Sequence, residues 1–523
     1  MGGGAGAPYG RPMRARLADL PWKRIVAVGA VASVAAAGLA VTAGTVLYSR
    51  AERSNVGDLD FANRLAIPPL AEPTIGSDGA KEFDLRFTAG PSDLVDDGPS
   101  DTWGLNGTYL GPTVRADRGD TVRVNVTNGV DEATTLHWHG MHLPARMDGG
   151  PHQMVEPGDT WSPEWTLDQP AATLWYHPHL HGETADHVYR GAAGMFLVDD
   201  PAAAPELPRT YGVDDVPLIV QDKSFDGDGG LSMGVPIGSS VGFLGDTIVV
   251  NGTTDPHLPV TTELVRLRVL NASNARVYRL GFPDGRAFWQ VASDAGLLAA
   301  PHETERLQLS PGERAEIVVA VEPGEETVLR SFAPDLGLGF PGERFDGGDD
   351  TFDIVQLRAA DELAPSPALP GELAAIDAPE EREADGTRRF DLRGNAINGR
   401  GMDMDRVDQV VEVGSTEIWV VANQQSRPHS FHPHLVHFAV LDVDGEPPPP
   451  ELAGWKDTVY VPPDTTIRII ARFDDHADPA TPYMFHCHVL DHEDRGMMGQ
   501  FVVVEPGDEP DLSGMAAMPG HDH

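Results

Sequence analysis

The sequence predicts an all-β protein of three consecutive, related β-sandwich or barrel domains behind an N-terminal hydrophobic segment. Three observations lead there. From about residue 82, short alternating runs recur between Gly, Pro and Asp turns, among them "TVRVNVTN" (121–128), "GMFLVDD" (194–200), "AEIVVAV" (315–321) and "TIRIIARF" (466–473). Period-two alternation marks half-buried strands, and no long helical periodicity competes with it. Similar phrases also recur at domain scale: "GPTVRADRGDTVRVNVTN" (111–128), "GDTIVVNG…TTELVRLRVLNAS" (245–273) and "QVVEVGSTEIWVVANQQ" (409–425). Each reads as the opening hairpin of one antiparallel sandwich.

Taken in order, residues 1–53 are basic and contain "IVAVGAVASVAAAGLAVTAGTVLY" (25–48), which is uncharged and mostly apolar. That length suits a membrane span better than a signal-peptide core of roughly 7–15 residues. The basic flank before it puts the N-terminus in the cytoplasm and the rest of the chain outside. Export is expected: as a membrane-anchored protein facing outward, or as a secreted one if the segment is cleaved. The three domains are expected at 80–205, 206–360 and 388–506, the middle one without metal motifs. Residues 361–387 are rich in Pro, Ala and Glu and read as a linker. Residues 507–523 read as a flexible tail whose Met515, Met518, His521 and His523 offer at most a loose copper site.

With a length of 523 residues there is room for about three domains at roughly 150 residues each. The net charge of −42 repels nucleic acid and attracts cations, so no nucleic-acid partner is expected. A single cysteine, Cys487, excludes any intrachain disulfide framework.

The chemistry lies in the histidines. Of 20, pairs of the form His-x-His occur at His137/His139, His177/His179, His432/His434 and His486/His488. In a strand, residues i and i+2 share a face about 6–7 Å apart, so with metal–imidazole bonds of about 2.0–2.1 Å each pair reaches one ion or two adjacent ones. Eight imidazoles exceed what one tetrahedral ion uses, so several metals held together are implied. Cys487 lies between His486 and His488 and, if the run is extended, points to the opposite face. It then serves a different metal, with His429 and His492 as co-ligands and Met497 as a soft axial partner. Two His, one thiolate and a weak Met describe a blue-copper electron-transfer site. Zinc would call for a second Cys or a closed four-ligand set, and an inert buried thiol leaves the imidazoles unexplained.

Over roughly residues 85–505 these motifs, in this order, resemble the three-domain multicopper oxidases, the family of laccases, bilirubin oxidases and bacterial cuprous oxidases. The resemblance implies three cupredoxin-like Greek-key domains and four copper ions. It implies a type 1 copper on His429, Cys487, His492 and Met497, a type 2 copper on His137 and His432, and a type 3 pair on His139, His177, His179, His434, His486 and His488. It also implies proton relay by Asp148, in "MDGGPHQ", and by Glu493, directly after His492. "HSFHPHLVHFAVLD" is similar to the bilirubin-oxidase and spore-coat laccase wording, whereas "AGWKDT" (453–458) and "YMFHCHVLDHEDRGMM" are similar to the copper-efflux cuprous oxidases. The latter carry a methionine-rich insertion, but residues 335–387 here contain no methionine. An acid and a methionine that those enzymes place before the first type 1 histidine are replaced by Gln425 and Arg427, and Met402 and Met404 keep only part of that picture.

The expected activity is therefore laccase-like: oxidation of phenols or aromatic amines coupled to reduction of O2 to water, by a monomer. Cuprous-ion oxidation is the alternative reading, and a non-catalytic copper-binding envelope protein is the alternative of another class. His142, His152, His181, His187 and His437 lie near the motifs but off the matched positions, and read as supporting or surface residues.

Overall fold

The computed structural model describes residues 1–4, 22–203 and 205–511, the side chains of 22–32, 34, 35, 38 and 40 excepted. The described residues up to Arg50 form one unit and those from Ala51 onward another. In the first, the Ala-rich stretch forms most of the helix Trp22–Ala51, as its high helix propensity favours. Much of the expected membrane segment lies among side chains outside the described residues. Among the described residues no helix is long and apolar enough to cross a membrane.

Among the described residues the second unit contains six β-sheets and three large hydrophobic clusters. The fold is three cupredoxin-like β-sandwiches in succession. One cluster gathers residues such as Phe83, Val124, Trp138 and Phe196, a second gathers Leu218, Val269, Ile317 and Leu357, and a third Phe390, Trp419, Phe485 and Phe501. Period-two burial is clearest on Thr121–Thr127, where every second side chain is buried.

The phrases read as opening hairpins behave differently. Gln409–Glu412 and Ser415–Asn423 are joined by a tight turn but do not pair with each other. The first pairs with Met498–Val504 and the second with Gly386–Arg393, each in parallel and each in a different sheet. The same two parallel pairings recur in the other repeats. Lys81–Val95 runs parallel to Thr121–Thr127, and Val114–Asp117 to Gly194–Asp199. Asp215–Lys223 runs parallel to Leu264–Asn271, and Pro256–Thr262 to Phe352–Ala364. The turn carries the chain across the sandwich, from one sheet to the other, and strands reached by such crossings return parallel. The sheets are therefore mixed, not purely antiparallel.

Residues 365–380 contain no helix or strand, yet Leu373 is buried with Leu207, Val291 and Leu298 and donates its N–H to Ala299 O. The Met and His residues of the C-terminal tail lie outside the described residues.

The third core supports both metal motifs of its domain. Trp419, 1% exposed, packs its ring 4.5 Å from that of Phe390 and 5.7 Å from that of Phe501, and its Nε1–H donates to Glu417 Oε2 at 2.9 Å. Trp419→Ala is expected to lower the unfolding free energy by about 3–5 kcal/mol. Urea denaturation should show this as a lower midpoint with an unchanged slope.

Candidate metal centre

Short strands aim the histidines. His137–His139 pairs antiparallel with Ala172–His177, setting His137 opposite His177, and His429–Pro433 pairs with Asp478–Cys487, setting His432 opposite His486. The carbonyl of Leu136 passes so close to Gly149, whose φ is 77°, that a Cβ there would lie 1.8 Å from it. No other residue fits beside the first motif.

All eight paired histidines are buried, each at most 1% exposed. Ligand nitrogens of His137, His139 and His177, of His137, His432 and His434, and of His179, His434 and His486 lie within 4.8 Å of one another in each group. His486 Nε2 is 3.1 Å from His179 Nε2 and 3.3 Å from His434 Nε2. The rings of His139, His177 and His488 form a further trio with centroids 4.9–5.6 Å apart.

Their other nitrogens are held. His137 Nδ1–H donates to Asp148 O at 2.9 Å, His432 Nδ1–H to Asp457 O at 2.7 Å and His177 Nδ1–H to Pro178 O at 2.8 Å. His434 Nδ1–H donates to Asp148 Oδ2 at 2.7 Å, and His486 Nδ1 lies 3.0 Å from Glu493 Oε2. His139 is turned the other way: its Nε2 lies 3.1 Å from Asp457 Oδ1, which leaves Nδ1 facing inward. Such bonds fix tautomer and ring orientation. The inward nitrogens, Nε2 of His137, His177 and His432 and Nδ1 of His139, have no hydrogen-bond partner among the described residues.

Burial, then the neighbouring imidazoles, push the proton affinities of His139, His432 and His434 well below the ordinary histidine range. His488 falls to about 3 through burial and His486. Burial opposes ionisation of Glu493, but His179 and His486 outweigh it and hold the carboxyl well below its usual range. Buried imidazoles with orphaned inward nitrogens are a donor set suited to metal ions.

On the far side of the same strand, Cys487 Sγ lies 3.4 Å from His429 Nδ1 and 3.7 Å from His492 Nδ1, all three fully buried. Met497 packs in the same core, and its carbonyl accepts the Cys487 N–H. Burial pushes the Cys487 thiol up to about 12, so a metal that takes it as thiolate displaces a proton.

Models of the multicopper oxidase family match residues 90–203 and 374–507. The multicopper oxidase mco of Staphylococcus haemolyticus is 33% identical over 86% of this chain and 95% of its own. The chain belongs to the multicopper oxidase family. It is also 37% identical to the cell division protein FtsP of Yersinia pestis, over 90% of this chain and 97% of that one. Among solved structures, the laccase-like multicopper oxidase CueO of Ochrobactrum sp. superposes with a TM-score of 0.77 at 38% identity, over 84% of this chain and all of that one. Membership brings copper as the cofactor, and the buried thiol and orphaned imidazole nitrogens fit it.

In this member of the multicopper oxidase family, residues between the first and third sets of histidine motifs also reach both groups of candidate ligands. Ser240 O accepts His492 Nε2–H at 2.9 Å, and Asp346 holds Ser240 through its N–H (2.5 Å) and hydroxyl (2.6 Å). Gly312 approaches His488 so closely that a Cβ would lie 2.9 Å from the ring. Arg314 forks onto Asp457 with two bonds of 2.6 Å, and Asp457 in turn faces His139. The remaining outward edge, His429 Nε2, lies 2.5 Å from the Gln425 amide. None of these partners belongs to a histidine motif. Asp457 sits in "AGWKDT", a legible signal, whereas Arg314 and Ser240 are unremarkable in sequence.

Proposed function

We propose that the chain couples one-electron oxidation of a small organic reductant, a phenol or aromatic amine, to four-electron reduction of O2 to water. In this reading His429, Cys487, His492 and Met497 hold the type 1 copper that takes up electrons. His137 and His432 hold the type 2 copper, while His139, His177, His179, His434, His486 and His488 hold the type 3 pair. Copper in these positions supplies one-electron transfer and dioxygen reduction. The observation that carries the reading is that every expected ligand is present and buried, with Cys487 between His486 and His488. A few covalent bonds thus join the two centres.

The chain's own groups handle geometry and protons. Asp148 fixes His434 through Oδ2, and its Oδ1, 3.5 Å from His137 Nδ1, has no hydrogen-bond partner among the described residues; Glu493 stands between His179 (3.5 Å) and His486 (3.0 Å). Both carboxylates are suited to relay the four protons that O2 reduction consumes. Ser240 and Gln425 orient the two type 1 imidazoles from outside.

A phenolic reductant is favoured by the laccase-like Ochrobactrum relative, whose oxidase activity acts on lignin model compounds. It is favoured too by the lack of methionine over 335–387, since thioethers select Cu(I). We take the domains to run 80–205, 206–360 and 388–506, and the chain to be an exported monomer anchored through residues 25–48 if these are retained. A non-catalytic role, whether in the cell envelope or in cell division as the name of the Yersinia pestis relative has it, would not require the complete set of buried ligands.

Oxygen uptake by copper-loaded protein with a phenol, bilirubin or Cu(I) tests the reading. Uptake fastest with the phenol is expected. A clear preference for Cu(I) would move the assignment to a cuprous oxidase, and no uptake with any reductant would support the non-catalytic role.

A further inference from the structure

Two of the histidine motifs share a longer pattern than His-x-His. His137-Trp138-His139-Gly140-Met141-His142 in the first domain and His432-Pro433-His434-Leu435-Val436-His437 in the third each end on another histidine. In both, the residue after the second histidine has positive φ, 81° at Gly140 and 71° at Leu435. For a leucine that conformation costs about 1–2 kcal/mol, so something must hold it. The third histidine of each motif crosses to the other. His142 Nδ1–H donates to Leu435 O at 3.1 Å, and His437 Nε2–H donates to Gly140 O at 2.7 Å. Each acceptor is the carbonyl of the positive-φ residue that follows the other motif's second histidine. Gln169 closes the arrangement, accepting the His142 N–H at 2.9 Å and donating to Gly140 O at 3.1 Å.

We propose that His142 and His437 are positioning residues, a reciprocal clasp that sets His137 and His139 at the right separation from His432 and His434 and so governs copper affinity at the interdomain cluster. The proposal rests on the cluster assigned under Proposed function.

The clasp has a built-in dependence on pH. His142 Nδ1 faces Leu435 O while Nε2 faces Asp475 Oδ1 at 2.8 Å, and only the doubly protonated ring donates to both. Around it stand Asp475, His476 with its ring 4.9 Å away, and Asp168, Arg118 and Asp200 lining the same cavity of about 700 Å³; His437 lies on the cluster side. Burial lowers the proton affinity of His142, and the bond to Asp475 more than restores it, leaving it raised. A folded-state value above the unfolded one means that this contribution to stability is complete below about 6.5. It is lost as pH rises through the folded-state value. Burial takes His437 down to about 4, so it stays neutral while His142 titrates.

The test uses the full chain with His142→Phe, His437→Phe and His437→Gln, the last keeping an N–H donor. Copper is titrated against a chelator, with the thiolate–copper absorption reporting the type 1 site and total copper per chain reporting the cluster. The two Phe variants should weaken cluster copper by about tenfold or more, the effect expected of lost outer-sphere orientation. They should leave the type 1 affinity unchanged, and His437→Gln should recover most of the loss. Unfolding of the copper-free wild type should also lose, as pH rises above about 6.5, a stability component that His142→Phe lacks. Unchanged cluster affinity in both Phe variants overturns the clasp. So does an equal loss at both centres, the mark of a general structural defect. A wild type that takes up type 1 copper only would instead overturn the cluster assignment, and the clasp with it.

Discussion

Cys487→Ser is expected to abolish the blue copper absorption and to reduce oxygen-coupled turnover to the background of copper-free protein, while the chain still folds. The thiol lies fully buried in the third core, 3.4 Å from His429 Nδ1 and 3.7 Å from His492 Nδ1. Serine has nearly the same shape, so the core stays filled, and a buried hydroxyl in place of the thiol costs about 1–3 kcal/mol. What the hydroxyl does not supply is a soft, easily oxidised thiolate. His486 and His488 turn to the opposite face of the strand, so copper bound by the paired histidines should persist. Copper titration, absorption spectroscopy and an oxygen electrode on the same sample separate these effects. A variant that keeps both colour and turnover would remove Cys487 from the electron path.

The elements on which this expectation rests were legible in the sequence for a simple reason. Metal ligands placed at i and i+2 on a strand leave a spacing that survives in one dimension, and Cys487 between two such ligands fixes the opposite face as well. Glu493 directly follows His492 and Asp148 comes nine residues after His139, so both were legible with those motifs. Contacts that join distant segments leave no such trace. Ser240 meets His492 across 252 residues, and His142 and His437 reach partners 293 and 297 residues away, so both histidines read as supporting or surface residues. The turn between Gln409–Glu412 and Ser415–Asn423 misled for a related reason. Sequence shows two alternating runs and a glycine turn, the signature of a hairpin, but whether the second run stays in the sheet or crosses the sandwich depends on strands that arrive much later in the chain.

The same blindness hides a group whose stability effect matches that of Trp419. Arg314, 1% exposed, directs both terminal nitrogens at Asp457, each at 2.6 Å. Its remaining N–H groups are taken by the carbonyls of Thr173, Asp294 and Gly312. Asp457 Oδ1 also faces His139 Nε2 at 3.1 Å, while its carbonyl accepts His432 Nδ1–H at 2.7 Å. One guanidinium of the second domain thus steadies an acid of the third that orients imidazoles from both sides of the cluster. Arg314→Met leaves the Asp457 carboxylate buried without its counter-charge, which should cost about 3–5 kcal/mol. It should also weaken cluster copper by about 10–100-fold through the loss of orientation at His139. If the unpaired charge is the cause, removing it as well should help. Arg314→Met combined with Asp457→Asn exchanges the ion pair for a neutral side chain whose Oδ1 still accepts from His139, and replacing both partners is far less costly than removing one. Urea unfolding of the copper-free proteins and copper titration of the loaded ones decide it. The double variant should stand above the single one in both measurements. A single variant within about 1 kcal/mol of wild type, below the loss that breaking a buried pair entails, would show that the fork does not carry the load assigned to it. A double variant less stable than the single would show that Asp457 matters for some reason other than its charge.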